Sequence, residues 1–153
     1  MSPKLCLMVC DNLKQELTSV LNQVADDDVV MGTFPVCCDT GLDGETLKQA
    51  VHTAAPDSTL VEVFGGGCLF GIGQLPPELG PCYLHKLDTC FELFLPRITI
   101  EHFVEQGAYL LTSGWLVHWE EQMQVWGFDQ ETAAAFFGEF STNLLLLDTG
   151  IDP

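Results

Sequence analysis

Apolar and polar positions switch between two periods along the chain, and the switches predict its elements. Lys4 to Cys10 is an apolar run of strand length. Asp11 or Asn12 follows as a helix cap, and then LKQELTSVLNQV, whose Leu13, Leu17, Val20, Leu21 and Val24 recur at helical spacing. After an Asp26-Asp27-Asp28 turn, Val29 to Phe34 predicts a second strand and PVCCDTGLDG a loop ending at an Asp43 cap. Glu45 to Ala55 predicts a second helix. Pro56-Asp57 breaks it before a strand at Thr59 to Phe64, and the glycine-rich GGGCLFGIG comes directly after. The Asp triplet has no spaced ligand pattern around it and reads as a solvated turn rather than a calcium site.

Pro76, Pro77 and Gly80 punctuate the approach to a short strand at Cys82 to Leu87, and Asp88 or Thr89 is placed to cap a short helix containing Cys90. Beyond Pro96 the pattern predicts a helix at Ile100 to Gln106, a strand at Ala108 to Thr112 and a helix from Trp115 to Trp126. A last helix at Gln130 to Phe140 leads into a strand at Thr142 to Leu147. Strands alternating with helices predict an α/β fold of three layers: a mainly parallel sheet with helices on both faces, of the Rossmann-like kind. With no repeat and no linker, residues 1–153 are expected to form a single domain.

Composition narrows the function classes. The chain is 47% hydrophobic, which argues for a folded core despite a net charge of -17. Five Lys and Arg against 22 Asp and Glu give a field that repels phosphate backbones and anionic lipids, so neither nucleic acid nor a membrane surface is an expected partner. A small ligand or a protein partner fits better, and the oligomeric state is left open. No apolar run approaches the roughly 18 residues of a spanning helix, and the start lacks a basic segment followed by a long apolar one. A cytosolic, cytoplasmic location is expected. Seven cysteines, an odd number and mostly inside apolar runs, point to thiols rather than a disulfide framework.

Three of those cysteines fall where strands are predicted to end: Cys10, Cys68 and Cys90. In a parallel sheet they meet at one edge, where three thiolates can hold zinc, or an iron-sulfur cluster with one position left to another ligand. Cys37 and Cys38 read as an accessory ligand pair, a redox pair or a plain loop, while Cys6 and Cys82, inside strands, read as core. Cys90, near a helix start, is expected to have its thiolate favoured by the backbone dipole. The glycine loop shows neither GxGxxG nor GK[ST], so its glycines, Gly67 among them, are read as letting the chain fold tightly around Cys68. Leu69, Phe70, Thr112 and Trp115 are the candidate lining of a cofactor pocket at the same edge. Among the histidines, His85 is the candidate for an extra ligand; His52 and His102 read as surface and His118 as packed.

These features together resemble a domain-of-unknown-function family of bacteria and archaea, one associated with corrinoid-dependent methylamine metabolism and with fusions to sensor kinases. The resemblance spans nearly the whole chain: Cys10 after the first strand, Gly67-Cys68, the stretch around Cys90, YLLTSGWLVHW and the closing LLLLDTG. Where the family tends to carry His-Asp-Cys, this chain has Asp88-Thr89-Cys90, which removes a histidine from that position. Members commonly continue beyond the DTG, so a chain stopping at Pro153 is expected to be a short member or an excised sensory module. The resemblance supports the cysteine triad rather than a reaction. Three readings follow: a metal or iron-sulfur domain in sensing or corrinoid-methyltransfer support, a thiol-based oxidoreductase or methyltransferase accessory using Cys90 as nucleophile, or a ligand-binding module with structural cysteines.

Overall fold

The computed structural model describes residues 4–24 and 26–151. The chain forms two compact units, one running up to Cys90 and one starting at Phe91. In the first, strands β1 (Leu5–Cys10), β2 (Val29–Phe34), β3 (Leu60–Gly65) and β4 (Cys82–Lys86) make a parallel sheet in the order β2-β1-β3-β4. Helix α1 (Lys14–Val24) follows a single 3-10 turn, Asp11–Leu13, and helix α2 (Gly44–Ala54) connects β2 to β3. The α/β class expected from the alternation of periods is the one formed.

Period two decides which side chains are buried. Cys6 and Met8 of β1, Phe34 of β2, and Val61 and Val63 of β3 are fully buried on one face, against Leu47 and Val51 of α2. Gly32 allows this approach: a Cβ there would come within 2.6 Å of the Ala54 Cβ. The other face meets α1, where Thr18 Oγ1 reaches the Met31 sulfur at 3.4 Å. Because Met31 and Gly32 are successive residues of one strand, α1 and α2 lie on opposite faces. Contrary to the expected stripe along α1, Val20 is 54% and Val24 60% exposed, and the buried residue of this helix is Glu16.

Cap chemistry agrees with the sequence at α2, where the Asp43 carboxylate accepts from the Thr46 amide at 2.8 Å. At the first helix it differs. Cys10 itself takes the N-cap position of the turn, Asp11 lies in the turn, and Asn12 is buried.

The second unit contains α3 (Arg97–Glu105), β5 (Ala108–Leu111), α4 (Ser113–Val117), α5 (Trp119–Trp126), α6 (Gln130–Phe140) and β6 (Asn143–Leu146). β5 and β6 pair in parallel as a separate two-stranded sheet, not as further strands of the first. The single sheet implied by the sequence is therefore two. β4, with Tyr83, His85 and Lys86 exposed, has the polar surface that keeps an edge strand from pairing further. Ile100, Leu110 and Leu147 form the centre of the second core. The helix expected from Trp115 to Trp126 is broken at His118, whose amide bonds to the Trp115 carbonyl in a tightened i−3 turn at 3.2 Å. Among the described residues, no helix is long and apolar enough to cross a membrane.

A cysteine cluster at the carboxyl edge of the parallel sheet

Strand order places the chemistry. From β1 the chain crosses to β2 on one side and later to β3 on the other, so the order reverses between β1 and β3. At such a point the two outgoing loops diverge and leave a crevice at the carboxyl ends of the strands, where open α/β sheets bind ligands. Cys10 ends β1 in register with Phe34, the last residue of β2, while Gly65 and Lys86 pair at the ends of β3 and β4. Cys37 and Cys38 follow β2, Cys68 follows β3 and Cys90 follows β4.

The loops are tied to one another through their backbones. The Leu42 amide donates to the Cys68 carbonyl at 2.8 Å, which fastens the loop after β2 to the loop after β3, and the Gly41 amide closes the first of these loops on the Cys37 carbonyl at 2.9 Å. Gly41 takes φ 75°, a left-handed conformation suited to glycine. On the far side, Gly66 lies against the backbone of Thr89 and Cys90, both within 3.3 Å of where its Cβ would stand.

All seven cysteines are free thiols, and Cys38 is the exposed one. Burial, and then the charges that Cys38, Cys90 and Cys68 would carry as thiolates, push the Cys10 thiol up to about 12, although the Asn12 amide favours its anion. Burial with Cys38 and Cys68 pushes Cys90 up to about 11. That reverses the expectation of a dipole-activated thiolate, because desolvation and like charge outweigh the backbone at this site. Cys37 is pushed up to about 12 by burial and then by Cys68 and Cys38. Cys68 is raised by burial, and its anion is favoured by the Cys37 S–H and by the amides of Gly66, Cys68 and Leu69. Cys38 is exposed as a residue, yet its thiol is packed against neighbours, so burial and then the charges of Cys68 and Asp39 raise it. Cys6 is fully buried and Cys82 half-buried, both packed with the core as their strand positions imply.

The remaining candidates separate by position. Gly67 is exposed with open space on its Cβ side, Leu69 is fully buried in the core, and Phe70 is 56% exposed. His85 alternates onto the face opposite to the Cys10 side of the sheet, stacks on Phe64 with ring centroids 4.4 Å apart, and pairs with the Glu62 carboxylate. Thr112 and Trp115 belong to the second unit, where Thr112 Oγ1 caps α4 by accepting from the Trp115 amide at 3.2 Å. Trp115 lines an apolar cavity of about 440 Å³ with Leu111, Trp119, Phe137 and Leu144.

Two features escaped the sequence pattern. Asn12 is 8% exposed, and its Oδ1 has no hydrogen-bond partner among the described residues. An Asn two residues past a strand end reads as a cap, so its burial left no local signal. The amides around the Cys68 sulfur depend on the conformation of Gly66 to Leu69, which composition does not reveal. Among the described residues, no group of three or more His, Cys, Asp or Glu is arranged so as to hold a metal ion as it stands.

A parallel α/β sheet with cysteines gathered at its switch point defines the class of this protein. Residues 8–153 match the family described as protein of unknown function (DUF1638), and the chain belongs to that family. Neither the curated proteins nor the solved structures gave a significant match.

Proposed function

We propose that the chain is a cytosolic cysteine-ligated metal domain, holding an iron-sulfur cluster or zinc through Cys10, Cys68 and Cys90. Its role on this reading is sensing, or support of corrinoid-dependent methyl transfer. The observation that carries the proposal is the meeting of thiols from separate loops at the sheet's switch point, where Cys68 and Cys90 raise the Cys10 thiol and Cys68 raises the Cys90 thiol. Buried thiols that repel one another as anions are poor nucleophiles at neutral pH, which weighs against a thiol enzyme using Cys90. A bound cation reverses that balance by neutralising the thiolates it gathers.

Neutral thiols do not attract one another, so ligation draws the loops inward and couples metal binding to their movement. Tetrahedral zinc, with Zn–S bonds of about 2.3 Å, requires sulfurs roughly 3.8 Å apart.

The test is anaerobic purification and reconstitution with ferrous iron and sulfide, or with Zn²⁺, followed by absorption spectroscopy and elemental analysis. The expected result is a bound metal that Cys10→Ala, Cys68→Ala and Cys90→Ala each abolish. Retention of the parent's metal content by all three variants would overturn the assignment.

A further inference from the structure

The second unit carries an apolar groove of its own. Its floor is the face of the β5 and β6 pair that bears Leu111 and Leu144, one wall is the α4 to α5 segment through Trp115 and Trp119, and the other wall is α6. Along α6 the lining positions are Gln130, Ala133, Ala134 and Phe137, a spacing that puts them on one helical face. Two of them are alanines, so the cleft of about 440 Å³ stays open where larger side chains would fill it. Leu144 is 64% and Trp119 43% exposed, which leaves large apolar surface to water.

We propose that this groove docks a basic amphipathic helix of a partner protein, its apolar face seated between the two helical walls and its flanks carrying Lys or Arg. Charge selects the occupant. Residues 91–153 hold one Arg and no Lys against ten Asp and Glu, and that one cation, Arg97, is paired with Glu101 at 2.7 Å. Carboxylates adjoin the lining residues in the chain: Glu120 follows Trp119, and Asp129 and Glu131 stand on either side of Gln130, all three exposed. An apolar cleft bordered by carboxylates attracts a partner of the opposite sign and repels one of its own.

Other occupants fit less well. A second copy of the chain brings a further net charge of -17 to the encounter, and an anionic lipid surface is repelled on the same ground. A polar small molecule needs several polar groups converging on it. Among the described lining residues Gln130 supplies the one side-chain amide, and none is charged. The apolar face of a helix asks for no such groups, and laying that face in a groove is a recurring mode of peptide recognition, with anchors at i, i+3, i+4 and i+7.

The experiment uses the full chain and two synthetic peptides of about 14 residues, roughly four helical turns. Both carry Leu along one helical face; one has Lys on its flanks and the other Glu. In calorimetry the Lys peptide is expected to bind, more weakly as salt rises, and the Glu peptide not to bind. Ala134→Phe fills the groove from an exposed position and should weaken Lys-peptide binding by about tenfold or more. Leu144→Gln, an exposed floor position, takes its place if circular dichroism shows the first variant misfolded. The combined change Glu120→Gln, Asp129→Asn and Glu131→Gln should cost about tenfold and flatten the salt dependence, the asparagine still capping α6. No binding of the Lys peptide, equal binding of both peptides, or undiminished binding by the groove variants would overturn the proposal. So would a dimer in sedimentation, or attachment to anionic lipid vesicles, that Ala134→Phe abolishes, since either gives the groove to a different occupant.

Discussion

Gly66 and Cys90 touch through their backbones: a Cβ on Gly66 would stand 2.9 Å from the Cys90 amide nitrogen. The neighbour is main chain, so it cannot swing aside as a side chain would. Gly66→Ala is therefore expected to displace Cys90 and lower metal content several-fold without removing a thiol. Gly67→Ala, whose Cβ would meet nothing within 4 Å, should leave metal content unchanged. Equal metal binding by both variants, measured by elemental analysis, would count against a site that includes Cys90.

Gly32 makes a matching prediction for stability. A methyl there would meet the Met8 side chain and the Ala54 Cβ, so Gly32→Ala must push α2 away from the sheet. Such overpacking is expected to cost about 1–3 kcal/mol in denaturant unfolding. The loops at the carboxyl edge lie beyond this contact, and metal stoichiometry in the folded variant should match the parent's.

The first four strands and the last helix were legible because each carries a strong local period. The helix at Gln130 to Phe140 and the strand at Val29 to Phe34 have the bounds their patterns predict, and β1, β3 and β4 differ by no more than one residue at either end. The carboxyl-edge positions of Cys10, Cys68 and Cys90 followed from strand ends in the same way. What sequence missed depends on long-range partners. Pairing of β5 with β6 instead of β4 is a choice between strands of similar pattern, and nothing local to Ala108–Leu111 makes it. The direction of the Cys90 perturbation likewise reversed, because the helix-end effect is local whereas burial and the thiols of two other loops are not.

ATP and NAD(P) should not bind. Phosphate recognition at a glycine loop needs an α-helix N-terminus behind it, and Gly66 and Gly67 lead instead into a single 3-10 turn, Gly67–Leu69. The chain's net charge of -17 also opposes polyanions at low salt. Calorimetry at low ionic strength checks this, and a dissociation constant in the low micromolar range would contradict it.

The metal-free protein should lose stability in alkali, and the sign follows from its thiols. Burial, with neighbouring thiols, raises Cys10 and Cys37 to about 12 and Cys90 to about 11, from an ordinary value of 9.0. Below pH 9 both folded and unfolded chains hold these protons, so the groups impose no pH dependence. Between that value and the folded-state values the unfolded chain releases protons that the folded chain keeps, and the equilibrium moves toward unfolding. Stability is thus fully present below about pH 9 and declines as pH rises toward 11 and 12. Urea unfolding of the metal-free chain at about pH 8 and about pH 10.5 should show a lower midpoint at the higher value. Because tyrosine and lysine also titrate there, the comparison that isolates the thiols is a Cys10→Ser, Cys90→Ser double variant, whose midpoint should fall by less between the same two pH values. A double variant as alkali-sensitive as the parent would show that these thiols are not held protonated by the fold.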